Sequence, residues 1–308
     1  MVSTTSRPYV SPPSSAPPAR RRRRRPRPPA FVVVARVLLV GWVAFNLFLL
    51  VWIVATSLKT SREVFGDPLT VPTDPQWDNY AQAWSVSGFS VAFLNSVTVV
   101  AIASVVVVAL AAPAAYMLAR ARTRTASPLT SFFAVGTGIP LQAIVIPIFV
   151  LMQSISSFFN STLGWWDDRI SLTIIYVATS LPFAIFLLTG FFRSLPYELE
   201  EAAALDGASV GRVFVKVMLP LAQPGLITAL VLTIVSLWNE TLLALILVVD
   251  TEQQTLPQAL LGLYGTMQYT SNWGGLFAGL AIVILPVVLV YWWLGRHIIE
   301  GLTVGAGK

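Results

Sequence analysis

The chain has 308 residues, of which 56% are apolar and 11% charged, with a formal net charge of +6. Soluble domains carry about 25% charged residues, so the composition excludes an ordinary soluble enzyme and, for the chain as a whole, a disordered scaffold. With no cysteine and a single histidine, His297, disulfides, thiolate nucleophiles, iron–sulfur clusters and multi-histidine metal sites are excluded as well.

Residues 1–30 hold eight of the 21 prolines and an arginine run at 20–25 followed by Arg27. With almost nothing to bury, this segment is predicted to be a disordered tail. Contact with nucleic acid or anionic lipid is one reading of it. A cytoplasmic tail that fixes topology is favoured, because an apolar stretch follows at once and basic residues stay inside. That stretch is too long for the core of a cleaved signal peptide.

From residue 31 the pattern is long apolar runs between short polar ones. A bilayer core takes about 20 such residues per helix, and six spans are predicted at about 33–56, 90–118, 130–152, 170–192, 225–249 and 276–298. Orientation follows from the basic residues. Arg120, Arg122 and Arg124 after span two, and Arg193, Arg212 and Lys216 after span four, fall on the side of the tail. The opposite loops hold Lys59, Arg62 and Arg169 against Glu63, Asp67, Asp74, Asp78, Asp167, Asp168, Asp250 and Glu252. Both termini are therefore expected in the cytoplasm. Trp165, Trp166, Trp292 and Trp293 fall near span ends, as interfacial aromatics do. Gly275 with Gly279, and Ala111 with Ala115, allow close helix approach. Pro140, Pro147, Pro182 and Pro286 predict kinks.

The inner loop 194–224 reads SLPYELEEAAALDGASVGRVFVKVMLPLAQP. Pro196 suits a first helical turn, Glu198, Glu200 and Glu201 favour the positive end of a helix dipole, and Ala202 to Leu205 are strong helix formers. Gly207 can take the positive φ that stops the helix, and Ser209 can cap a second one. In that second helix Val210, Val213, Phe214, Val217 and Met218 make one apolar stripe, predicted to lie along the membrane surface until Pro220 ends it. On the residues alone, a passive interfacial hairpin and a docking site for another protein both remain open.

Here the residues carry a resemblance. Glu201-Ala202-Ala203, three residues, Gly207, nine residues, Val217, one residue, then Leu219-Pro220 resembles the EAA motif of bacterial ABC-importer permeases; valine replaces the usual isoleucine at 217. Ser57-Leu58-Lys59, Asn79-Tyr80, Asn95-Ser96, Ala115-Tyr116, Ala119-Arg120, Trp238-Asn239-Glu240, Gly301-Leu302-Thr303 and Gly305-Ala306 are similar to the carbohydrate branch of that family, the maltose-permease type. The resemblance covers about residues 31–308 and leaves out the tail. It implies an all-α membrane protein with the six-helix type I importer fold in the bacterial plasma membrane. Its function would be one permease half of an ATP-driven carbohydrate importer. Implied partners are a second homologous permease, an ATPase dimer and an extracytoplasmic solute-binding protein. Glu201, Ala202, Ala203, Asp206, Gly207, Leu219 and Pro220 would form the ATPase-coupling surface. No G-x-x-x-x-G-K-[ST] loop occurs, so ATP and its magnesium are expected on the partner ATPase, with no cofactor and no catalytic residue on this chain.

Within the spans, Glu240 is the one deep charge, next to Trp238 and Asn239. A buried ionisable group is costly and points to function. An aromatic beside polar groups suits a sugar. A pairing role with another helix or with the partner permease is the favoured alternative. Gln142 and Asn95 are weaker pathway candidates. A glycerol-phosphate-like solute remains open, and on hydropathy alone so does a channel or secondary carrier, although no internal repeat supports the latter. A membrane enzyme lacks a nucleophile–base set.

Overall fold

The computed structural model describes residues 30–306 except 86–87 and 122–125. The tail, Arg122, Arg124 and the side chains of His297 and of residues 301–306 lie outside the described set. Among the described residues every regular element is a helix. Of the described residues, those up to Leu49 form one unit and those from Leu50 another.

The chain runs through α1 (Ala30–Ser57), two short helices α2 (Ser61–Gly66) and α3 (Asp78–Ser85), and the long α4 (Phe89–Arg120). Next come α5 (Ala126–Gly136), α6 (Leu141–Leu163) and α7 (Asp168–Ser194). The hairpin follows, with α8 (Glu198–Leu205), α9 (Val210–Val213), a π turn (Phe214–Met218) and α10 (Leu219–Leu221). Last are α11 (Gln223–Trp238), α12 (Leu242–Leu247), α13 (Leu256–Thr270) and α14 (Trp273–Ala306). Five helices are long and apolar enough to cross a membrane, or six if the bent pair 210–221 and 223–238 is counted as one.

Four expectations are corrected. The third span is Leu141–Leu163 rather than 130–152. Gly136, Gly138 and Pro140 interrupt the apolar run, and Ile139, preceding a proline, is disfavoured from helical geometry. The fifth span is broken at 239–241, because the Glu240 carboxylate accepts the Leu243 N–H at 2.9 Å in place of a backbone carbonyl. Pro220 does not end its helix, which continues to Leu221 and turns by 73° at Ala222 into α11. A π turn directly precedes this proline, which has no N–H to donate. Finally, the apolar stripe of the second hairpin helix packs on protein from Val213 on, while Val210 is exposed. Val213 and Met218 are buried in one cluster with Ala111, Ala115, Tyr116, Leu188 and Phe192. Tyr116 and Phe214 have ring centroids 5.0 Å apart.

The most extensive helix contact is between α4 and α7. Fully buried Ala103, Ala111 and Ala115 line α4 there, as their small size permits. Of the predicted glycine pair, Gly279 makes the close approach: a Cβ there would stand 2.3 Å from the Leu263 side chain of α13.

Candidate functional site

α8 has no buried residue, and Leu205 at its tip is 90% exposed. Glu201, Ala202, Asp206 and Gly207 are exposed and Ala203 is half-buried. Gly207 has φ +78°. Its N–H donates to the Ala204 carbonyl at 3.0 Å, and Ala208 N–H donates to Ala203 at 3.0 Å. These two bonds close the helix end in the reversal that a left-handed glycine permits. Ser209 occupies the next cap position but makes no side-chain cap bond. Leu219 is half-buried and Pro220 exposed on the following turn. The coupling residues read from the sequence therefore fall on one continuous protruding hairpin.

What anchors that hairpin was not among the candidates. The Arg120 Nε donates to Glu200 Oε1 at 2.5 Å, and both side chains are nearly buried, at 10% and 14% exposure. Tyr116 Oη donates to the other Glu200 oxygen at 3.1 Å. Arg120 also donates to the Leu195 carbonyl at 3.1 Å, and its guanidinium stacks on the Tyr197 ring at 4.8 Å. Tyr197 Oη closes the loop on the Arg120 carbonyl at 3.3 Å. A bidirectional clamp of this kind ties the first turn of α8 to the last turn of α4. No local signal pointed to it, because Arg120 lies 80 residues before Glu200 in the chain.

The other sequence motifs prove to be joints at the opposite end of the bundle. Asn79 donates to the carbonyls of Ser57 and Lys59 at 2.8 and 3.0 Å, and Tyr80 meets Ser57 at 2.7 Å. Asn95 donates to the Glu252 and Gln254 carbonyls at 2.9 and 3.0 Å and accepts from Arg169 at 2.7 Å. Ser96 accepts the Leu256 N–H at 2.7 Å. Arg169 also grips Asp167, and its hydrogen bonds hold that carboxyl below the usual range. The loop ahead of α13 is thus latched to α4 and α7.

The intramembrane candidates separate. Trp238 is buried, donates to the Val283 carbonyl at 3.1 Å and packs edge-on against Phe93 at 6.0 Å. It faces an apolar cavity of about 210 Å³. Asn239 bonds back to the Val235 carbonyl of its own helix at 2.8 Å. Gln142 is exposed on α6, and Asn95 serves the latch just described. Glu240 alone of the five lines a mainly apolar cavity of about 320 Å³, to which Tyr176, Thr179, Ser180, Thr233 and Ser236 add hydroxyls. Its Oε2 accepts from Tyr176 Oη at 3.0 Å, and both oxygens accept from Leu243 N–H, at 2.9 and 3.1 Å. Glu240→Ala is expected to destabilise the fold by about 1–3 kcal/mol, the cost of orphaning buried donors. Glu240→Gln, which keeps one acceptor, should cost less; thermal unfolding of the solubilised protein checks both.

Residues 109–303 match the family described as the binding-protein-dependent transport system inner membrane component. The chain is 33% identical over 275 residues to the diacetylchitobiose uptake permease NgcG of Streptomyces coelicolor, covering 89% of this chain and 88% of that one. It is 34% identical over 266 residues to the trehalose transport permease SugB of Mycobacterium tuberculosis, covering 86% and 94%. Among solved structures, a bacterial ABC transporter that imports the acidic polysaccharide alginate superposes with a TM-score of 0.69 at 25% identity, covering 86% of this chain and 95% of that one.

Proposed function

The chain belongs to the family of binding-protein-dependent transport system inner membrane components, and from that premise we propose that it is the permease half of an ATP-driven importer of saccharides. The relatives named for diacetylchitobiose and trehalose support the solute class. The observation that carries the mechanism is the hairpin: an exposed α8 and Leu205 on the outside, a clamp to α4 behind. An ATPase subunit docks on Glu201, Ala202, Ala203, Asp206 and Gly207, with Leu219 and Pro220 on the adjoining turn. ATP and magnesium stay on that partner, and a second homologous permease completes the pathway. Closure of the ATPases moves α8, and the clamp passes the movement to α4 and its neighbour α7, so that the bundle switches between access states. An extracytoplasmic binding protein delivers solute to the end that carries the Asn95–Arg169 latch. With the bent pair counted as one span the total is six, and the charge bias then puts both termini in the cytoplasm.

Reconstitution with the partner subunits tests this reading. Saccharide uptake should require ATP, the ATPase and the binding protein together; uptake without ATP would make the protein a carrier or channel. Removing residues 1–30 should leave uptake intact in the protein that still inserts correctly, if the arginines only set topology. Lost uptake in a correctly inserted truncation would assign the tail a binding role.

A further inference from the structure

Between α4 and α11, on the hairpin's side of the bundle, an apolar groove is left open. We propose that it binds one anionic phospholipid of the leaflet on that side, with an acyl chain along the groove and the phosphate on Arg212 and Lys216.

Local geometry makes the groove. The helical stretch 210–221 meets α11 at 73°, so it runs close to the membrane plane while α11 crosses the bilayer. Phe214 and Leu219 of that stretch close one end of a groove of about 470 Å³. Its walls are α4 from Val105 to Pro113 and α11 at Leu226 and Leu230, and every lining residue is apolar.

The depth matches a single leaflet. α4 has 32 residues, about 48 Å along its axis. A hydrocarbon core of about 30 Å centred on it begins about 9 Å from the Arg120 end. Pro113 and Val105 lie seven and fifteen residues from that end, about 10 and 22 Å. The groove therefore runs from the headgroup boundary to just short of the midplane. Beyond that depth α14 closes in, where Pro286 and Val287 line the next cavity with Val97, Val100 and Trp238. A slot one leaflet deep suits an acyl chain, whereas a helix of a partner subunit would run on across the whole core.

Charge selects the headgroup. Arg212 and Lys216 are exposed on the same stretch, Lys216 between the two residues that close the groove. Neither has an ion-pair partner among the described residues. Their aliphatic stems can follow the apolar rim while the cationic heads stay at the surface. Basic groups at the end of an intramembrane slot recognise a lipid of net negative charge over a zwitterionic one. Such a lipid braces the bend at Ala222, where the hairpin joins α11.

The chain lacks cysteine, so Ile102→Cys introduces a unique thiol for a bimane label. Ile102 is 51% exposed, one turn deeper than Val105, and lines neither cavity. Leu151→Cys on α6, also exposed, is the control. The full-length labelled protein is placed in phosphatidylcholine vesicles, with and without its partner subunits. Brominated phosphatidylglycerol or brominated phosphatidylcholine is then titrated in, and quenching gives the relative affinity. At Ile102 phosphatidylglycerol should be preferred by about tenfold, the effect of two basic residues, and at Leu151 the two lipids should quench alike. Arg212→Gln combined with Lys216→Gln should bring the ratio at Ile102 near one and leave quenching by phosphatidylcholine unchanged. Equal affinity for the two lipids at Ile102, or a preference that survives the double substitution, overturns the site. Loss of all quenching at Ile102 on assembly with the partner permease also overturns it and assigns the groove to a partner helix.

Discussion

Gly207→Val is expected to abolish ATP-driven uptake while leaving the protein inserted and the bundle folded. The reason is backbone geometry. Gly207 sits at φ +78°, and a Cβ there would meet no atom within 4 Å, so crowding plays no part. An L-residue in this region costs about 1–2 kcal/mol, and a β-branched one is a genuine outlier there. The strain is relieved by opening the two bonds that reverse the chain after α8, from Gly207 to Ala204 and from Ala208 to Ala203. Leu205 and the alanine face then lose their fixed position against the ATPase. Gly207→Asn should keep most activity, because asparagine is the next residue to enter this conformation readily. Uptake in proteoliposomes, with co-purification of the ATPase, reads both variants. Normal transport by the valine variant would remove the docking assignment.

Arg120→Glu should be nearly as severe, through a different route. The substitution places two carboxylates where a nearly buried ion pair stood. Removing one partner of a buried pair costs about 3–5 kcal/mol, and the residual solvent at 10% and 14% exposure moves the figure toward the lower end. The hairpin should come away from α4, so that ATP hydrolysis continues with little solute moved. Glu200→Arg should do the same. The double exchange should recover part of the transport per ATP, held below wild type because Tyr116 donates to the carboxylate and Tyr197 stacks on the guanidinium in the native order. If the singles retain full coupling, the clamp is a local fastening and α7 alone carries the motion.

The parts legible in the sequence are those with local physical causes. The positive φ at Gly207 follows from its place after a run of helix formers. The positions of four spans, α1, α4, α7 and α14, follow from apolar runs of membrane length. Two spans were displaced or broken by interactions that hydropathy averages away. Pro140 and its flanking glycines moved the third, and a side-chain carboxylate replacing a backbone acceptor cut the fifth. The short α2 and α3 and the longer α13 went unread, because they are neither long enough nor apolar enough to stand out in a hydropathy scan.

The candidate site divides the same way. The EAA pattern, at fixed spacing within one loop, gave the hairpin and its exposed residues. Ala119-Arg120 and Ala115-Tyr116 were visible only as motifs; their use in gripping Glu200 depends on contacts 80 and 84 residues apart in the chain. Trp238, Asn239 and Glu240 are neighbours in sequence, yet the helix break sends each to different partners: a seam with α14, the helix's own carbonyl and the cavity.

The sequence by itself determined the class of protein, the rough place of four of its apolar spans, and the turn at Gly207 that leaves α8 exposed. Each of these is set by composition or by contacts within a few turns. The tertiary structure alone decided which polar residues are latches, which are clamped to the hairpin and which line a cavity. Those assignments depend on long-range pairing within a low-dielectric interior. There a donor or carboxylate must find a partner, and the sequence does not say which one is near.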